Sequence, residues 1–161
     1  MAERIITTDD ADGRSRLESR NELTADNSIP IAAVWNLWRV APNESIPGPV
    51  TPPGPLPDIG HIAPGEVLVF KFTFPAHTEV TEARGVIDFT DQRPGFHSTD
   101  SIDVQTLLEG ELVLLLDEEE TTIRTGDTVV LRGQSHAWEN RSDSPATLLV
   151  TLVGSRREGA V

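Results

Sequence analysis

The second half of the chain is a succession of short apolar or alternating segments, each closed by a turn signal, and this most constrains the fold. From residue 66 the segments run 66–74 (EVLVFKFTF), 84–90 (RGVIDFT), 101–108 (SIDVQTLL), 111–116 (ELVLLL), 120–124 (ETTIR), 127–132 (DTVVLR), 135–139 (SHAWE) and 146–153 (ATLLVTLV). Between them stand Pro94-Gly95, Glu109-Gly110, the acidic run from Asp117 to Glu120, Gly126-Asp127, Gly133 and the stretch Ser142 to Pro145. Many short strands at this spacing predict an all-β sandwich or barrel. No amphipathic helix is evident, and the acidic run reads as a solvated hairpin tip without a metal role.

The first sixty residues are less regular. Residues 4–8 and 14–18 flank Asp12-Gly13, which suggests a short hairpin or a loose arm, and 19–29 read as loop. Residues 31–40 (IAAVWNLWRV) are apolar; a strand is preferred over a short helix, with Trp35 and Trp38 either in the core or at a dimer interface. Residues 42–57 hold seven prolines in sixteen positions, so they form neither regular helix nor central strand. They serve as a surface linker or as a lid over the barrel mouth. The expected organisation is one domain: residues 1–60 as arm and proline-rich loop packed on a barrel of residues 61–161.

Composition narrows the function. A formal net charge of −13 disfavours nucleic acid as partner. With no cysteine, disulfides, thiolate nucleophiles and cysteine-ligated metals are excluded. The opening MAERIITTDDADGRSRLESR lacks the apolar segment of a secretory signal, and no run is long enough for a membrane helix. A soluble, cytoplasmic protein is expected, with a small-molecule substrate and no membrane partner.

Side chains two apart on a strand share a face. His97, Thr99, Ser101, Asp103 and Gln105 share one parity, whereas Ile102, Val104 and Thr106 take the other. Five consecutive polar groups on one face, without lysine or glutamate, predict a polar-lined cavity. His136, Trp138 and Asn140 also share a parity, which adds a second imidazole beside an aromatic wall.

These residues fall on two recognisable motifs. The segment 97–110 reads HSTDSIDVQTLLEG, and 126–140 reads GDTVVLRGQSHAWEN. They resemble the paired motifs of the cupins, Gly-x5-His-x-His-x3,4-Glu-x6-Gly and Gly-x5-Pro-x-Gly-x2-His-x3-Asn. His97 and Gly110 match the first; Gly126, Gly133, His136 and Asn140 match the second. The resemblance covers roughly residues 64 to 153. It implies a cupin double-stranded β-helix, that is a jelly-roll barrel, here with an N-terminal extension.

The departures bear on chemistry. Thr99 replaces the second histidine, Asp103 the glutamate and Leu131 the proline, and the Gly126–His136 spacing is one residue short. The familiar three-histidine, one-glutamate site is therefore incomplete. His97, Asp103 and His136 remain. They are read either as ligands of one divalent metal (iron, zinc or manganese) or, with no metal, as acid–base groups. A third reading gives Asp103 only the role of orienting a histidine.

The His-x-Thr-x3-Asp variant, the ending His-Ala-Trp-x-Asn and the opening IITTDDADGRS look like a branch of small cupins in secondary-metabolite pathways. That branch includes polyketide-tailoring dehydratases and decarboxylases and fungal cupin oxidoreductases. The resemblance implies a small-molecule lyase, foremost a dehydratase acting on a polyketide-like or carbonyl- or carboxylate-bearing substrate. His97, Asp103 and His136 are the expected catalytic groups. Thr99, Gln105, Trp138 and Arg132 are expected to contact substrate. The alternatives are a metal-dependent oxygenase or oxidoreductase and a non-catalytic binding module, and a homodimer is one expected assembly. His61 and His77, outside the motifs, are assigned no role.

Overall fold

The computed structural model describes residues 2–26, 32–46, 62–79 and 93–158. The expected strand at 84–90, residues 47–57 of the proline-rich segment and His61 lie outside them. Every regular element among the described residues is a strand.

β1 (Glu3–Asp9) and β2 (Ser15–Glu22) form a separate antiparallel hairpin. Its turn is fixed by Asp10, whose carboxylate accepts bonds from the amides of Asp12 and Arg14. β2 runs on to Glu22, so the loop expected from residue 19 begins later. Apart from the exposed Leu17 its residues are polar, almost nothing covers them, and among the described residues pairing with β1 alone holds the strand. Ile6 is the buried apolar residue of this hairpin.

A five-stranded sheet has the order β3-β4-β10-β5-β8, with β3 at Ala33–Val40, β4 at Val67–Phe74, β5 at Ser101–Glu109, β8 at Thr128–Leu131 and β10 at Ala146–Gly154. A three-stranded sheet has the order β7-β6-β9, from β6 (Glu111–Leu115), β7 (Glu120–Arg124) and β9 (Ala137–Glu139). β3 thus belongs to the barrel sheet rather than to the N-terminal arm. The acidic run closes the β6–β7 hairpin through a bond from the Leu116 amide to the Glu119 carbonyl.

The core lies between the two sheets. Phe70, Leu107, Leu148 and Leu152 from the larger sheet meet Leu112, Leu114, Ile123 and Trp138 from the smaller. Strict alternation places Ala146, Leu148, Val150 and Leu152 of β10 inward. Trp35 and Trp38 are not in this cluster. In register with Lys71 and Val69, they are half-buried on the outer face of the sheet, and the Lys71 ammonium lies 5.0 Å from the Trp35 ring centre.

Gly110 shows how tightly the motif turns are built. Its φ is +86°, and a Cβ there would stand 2.7 Å from the Pro145 carbonyl oxygen, so only glycine passes under the 142–146 turn. Asn140 ties the same region together. Its buried amide donates to the carbonyls of Pro75 and Ser144, both at 2.8 Å, and its oxygen accepts from the amide and hydroxyl of Ser142.

Candidate active site

β5 turns Ser101, Asp103, Gln105 and Leu107 inward while Ile102, Val104 and Leu108 face out, as the parity requires. The strand is therefore polar at its beginning and apolar toward its end. Its neighbours supply the walls: Asp103 lies between Leu131 of β8 and Leu152 of β10, and Gln105 between Val129 and Val150. A carboxyl group framed by buried leucines is poorly solvated, and burial raises the Asp103 pKa above its ordinary value. Hydrogen bonds from Ser101, Thr99 and Gln105, and the His97 ring nearby, oppose that rise without reversing it.

Thr99 and Ser101 form a hydroxyl pair on Asp103. Their oxygens are 2.7 Å apart, Ser101 donates to the carboxyl group, and Thr99 lies 3.4 Å from its other oxygen. Each hydroxyl has a single proton, so the two act as a short relay ending on Asp103. Thr99 and Gln105, expected to contact substrate, are both bonded to this carboxyl group. Ser101 shares their face, but the sequence reading gave it no role.

The two histidines arrive from opposite strands. His97 and His136 form an isolated antiparallel bridge, and their ring centres are 4.2 Å apart. Each Nδ1 lies 3.0 Å from a backbone carbonyl two residues earlier, Gly95 for His97 and Gln134 for His136. A carbonyl only accepts, so Nδ1 carries the proton and in the neutral ring Nε2 keeps its lone pair. Burial, reinforced by the His136 ring, pushes His97 from 6.5 to about 4, against the pull of the Gly95 carbonyl and Asp103. Burial likewise lowers His136. Both rings are therefore neutral near pH 7.

His136 Nε2 is buried and has no hydrogen-bond partner among the described residues. Leaving such an atom bare costs about 1–3 kcal/mol, so a water or a bound group that donates to it would be favoured there. Trp138 meets the His136 ring edge-on, centres 6.4 Å apart, and is also part of the core, so it is wall and core at once.

A metal held by His97, Asp103 and His136 would need the carboxylate to converge with the two imidazoles. Among the described residues no three His, Asp or Glu side chains form such a group, and Asp103 is occupied by Ser101, Thr99 and Gln105. This arrangement does not fit a three-ligand protein site. Arg132 does not join the interior either: it follows the inward Leu131, is exposed, and lines an outer cleft.

One contact outside the motifs braces both. The Arg157 guanidinium donates to the Thr99 carbonyl, the Gly133 carbonyl and the Asp100 carboxylate, at 3.1, 3.1 and 2.8 Å. It bridges the segments that carry His97 and His136. Gly133 has φ +77°, and a Cβ there would lie 3.0 Å from the Arg157 guanidinium, so the motif glycine makes room for this brace.

Residues 91–152 match the Cupin_2 family, described as a cupin domain. Two curated relatives from Diaporthe leptostromiformis, phomopsin biosynthesis cluster proteins C' and D, are each 45% identical over 62 residues. Those matches cover 35% of this chain and 33% of each relative, so the likeness spans about a third of the relatives' length. Among solved structures, the Schizosaccharomyces pombe Cnp3 cupin domain aligns with a TM-score of 0.54 over 96% of this chain and 89% of that one. At 9% identity that likeness concerns the fold alone. Residues 91–152 are thus similar to a cupin domain, and the architecture is the all-β cupin fold.

Proposed function

We propose that the barrel interior carries out acid–base lyase chemistry, of the dehydratase type, on a small carbonyl- or carboxylate-bearing molecule. The observation that carries this reading is the pair of neutral imidazoles, one with a bare, buried Nε2. A neutral imidazole with its lone pair exposed is a base. With His136 as that base, Asp103, whose pKa burial raises, is assigned as the acid.

In the proposed step, His136 Nε2 takes the proton on the carbon next to the substrate carbonyl. The electron pair forms a double bond as the carbon–oxygen bond of the β-hydroxyl breaks. The leaving oxygen takes a proton from Asp103 and departs as water. The relay of Thr99 and Ser101 steadies the carboxylate left behind. His97 shapes the pocket, and burial keeps His136 neutral. The phomopsin relatives are named for a biosynthesis cluster, which supports a substrate from a biosynthetic pathway of that kind; its polyketide-like class is part of the proposal and does not rest on those names.

The test is incubation of the full chain with a panel of β-hydroxy carbonyl and carboxylate compounds, read by mass spectrometry for loss of water. Water loss that disappears in a folded His136→Asn variant supports the reading, whereas carbon dioxide loss would assign a decarboxylase. Stoichiometric metal, lost in the same variant, would replace the reading with metal-assisted redox chemistry. Tight binding of panel compounds without turnover would replace it with a binding module.

For the assembly we propose a homodimer. The outer face of the larger sheet exposes Ile102, Val104, Val130 and Val153 beside the half-buried tryptophans, and light scattering giving a monomer would reject the dimer.

A further inference from the structure

A second cleft, of about 220 Å³, lies outside the barrel interior, between the motif segments 99–102 and 132–133 and the C-terminal residues 155–158. Three arginines line it: Arg132, Arg156 and Arg157. Arg157 is committed to the brace just described. Arg132 and Arg156 have no ion pair among the described residues and are both exposed. Arg39, Arg93, Arg124 and Arg141 each pair with a carboxylate, whereas Arg14 on the N-terminal hairpin, like Arg132 and Arg156, has no ion pair among the described residues.

What sets Arg132 and Arg156 apart is that both line one concave surface without an ion pair among the described residues, in a chain of net charge −13. Acidic partners are abundant, so leaving both arginines without one keeps their donors available. The carboxylates lining the cleft are Asp100, already bonded to Arg157, and Glu158. The rigid floor, Gly133 and Arg157, fixes the spacing of the two walls. Ser155, whose amide bonds to the Asp100 carbonyl, holds the tail in place.

We infer that this cleft binds a small anion, the phosphate or carboxylate group of a small molecule, through the Arg132 and Arg156 guanidiniums. Arginine forks match both groups in geometry and charge. The volume is below the roughly 300–1,000 Å³ of a pocket for a drug-sized ligand, which limits the occupant to a small anion or the anionic end of a larger molecule. A nucleic acid backbone is disfavoured by the net charge of −13 of the whole chain. The cleft shares Thr99 and Ser101 with the hydrogen bonds on Asp103, so its occupant would sit next to the segment that carries the interior site. This inference is independent of the lyase reading.

The experiment titrates inorganic phosphate, and separately succinate, into the full chain and follows the backbone amides of Gly133 and Ser155 by NMR. Saturable shifts at those amides are expected with at least one probe, and which probe binds more tightly assigns phosphate or carboxylate. In the R132Q/R156Q variant binding should weaken about tenfold or more, because charged hydrogen bonds are lost. R14Q, which removes another exposed arginine, should leave it unchanged. Absence of saturation with both probes, or equal binding by R132Q/R156Q and R14Q, overturns the proposal. Both arginines are exposed, and a circular dichroism spectrum matching the parent establishes that the variant is folded.

Discussion

His97 and His136 hold each other by the backbone: each amide donates to the other's carbonyl at 2.9 Å, and this bridge sets their rings 4.2 Å apart. Neither ring can move without the other strand. The proximity also makes protonation of one costly to the other, and the His136 ring is a named cause of the lowered His97 pKa.

Acid should therefore destabilise the fold before carboxylates in general are protonated. In the unfolded chain His97 takes a proton near 6.5, but in the folded chain only near 4. Between those values the unfolded state binds more protons, so stability falls as pH drops from about 6.5 and the full loss is reached near 4. The loss is on the order of 3 kcal/mol for His97. His136 acts in the same direction. Asp103, with its pKa raised, acts oppositely, gaining stability as pH falls toward 3.8. Urea midpoints measured from pH 7.5 to 4.5 should decline, and His97→Asn should flatten the decline. A level profile in the parent would contradict the burial of these rings.

Two motif glycines should respond differently to alanine. Gly110 and Gly126 both have positive φ, but a Cβ at Gly110 meets backbone at 2.7 Å whereas one at Gly126 meets nothing within 4 Å. Gly126→Ala should cost about 1 kcal/mol of left-handed strain, and Gly110→Ala about 3 kcal/mol or more because the 142–146 turn must move. Equal costs by chemical denaturation would show that the turn yields easily.

Asn140→Ala should destabilise by about 2–4 kcal/mol, because it strands the Pro75 and Ser144 carbonyls and removes the acceptor for Ser142. Asn140→Asp should be equally damaging, since a carboxylate cannot donate to those carbonyls. If Asn140→Asp were as stable as the parent, the amide would not be acting as a donor.

Arg157→Lys should keep the charge yet lose the brace, since an ammonium does not reproduce the planar fork that reaches the Asp100, Thr99 and Gly133 oxygens together. The readout is the ¹⁵N spectrum of the two imidazoles. The Nδ1–H form should dominate in the parent, and the variant should show mixed tautomers with a smaller change in melting temperature. Unchanged ring spectra would limit Arg157 to stabilising the tail.

The polar face of β5 was legible in the sequence because strand periodicity is local: the alternation from Ser101 to Gln105 needs no partner to be read. The same holds for β10 and for the hairpin tip at Asp117 to Glu120. What was not legible depends on pairing across the sheet. That Leu131 and Leu152 enclose Asp103 follows from the order β10-β5-β8, which joins strands far apart in the chain. The commitment of Thr99 and Gln105 to Asp103, and the outward course of Arg132, depend on rotamers and strand ends. Arg157 lies 58 residues from Thr99, and no spacing pattern links them. β2 was read too short because its polar residues carry no periodic signal when neither face is covered.

The brace from Arg157 and the pairing of β10 with β4 set the smallest portion of this chain that could be moved intact to another scaffold. A graft of residues 91–152 would carry both histidines and Asp103. It would leave behind β4, against which β10 is laid in register from Ala146↔Phe74 to Val153↔Val67, and the arginine that spans Thr99 and Gly133. Such a graft would hold the reacting groups without the parts that fix the distance between them.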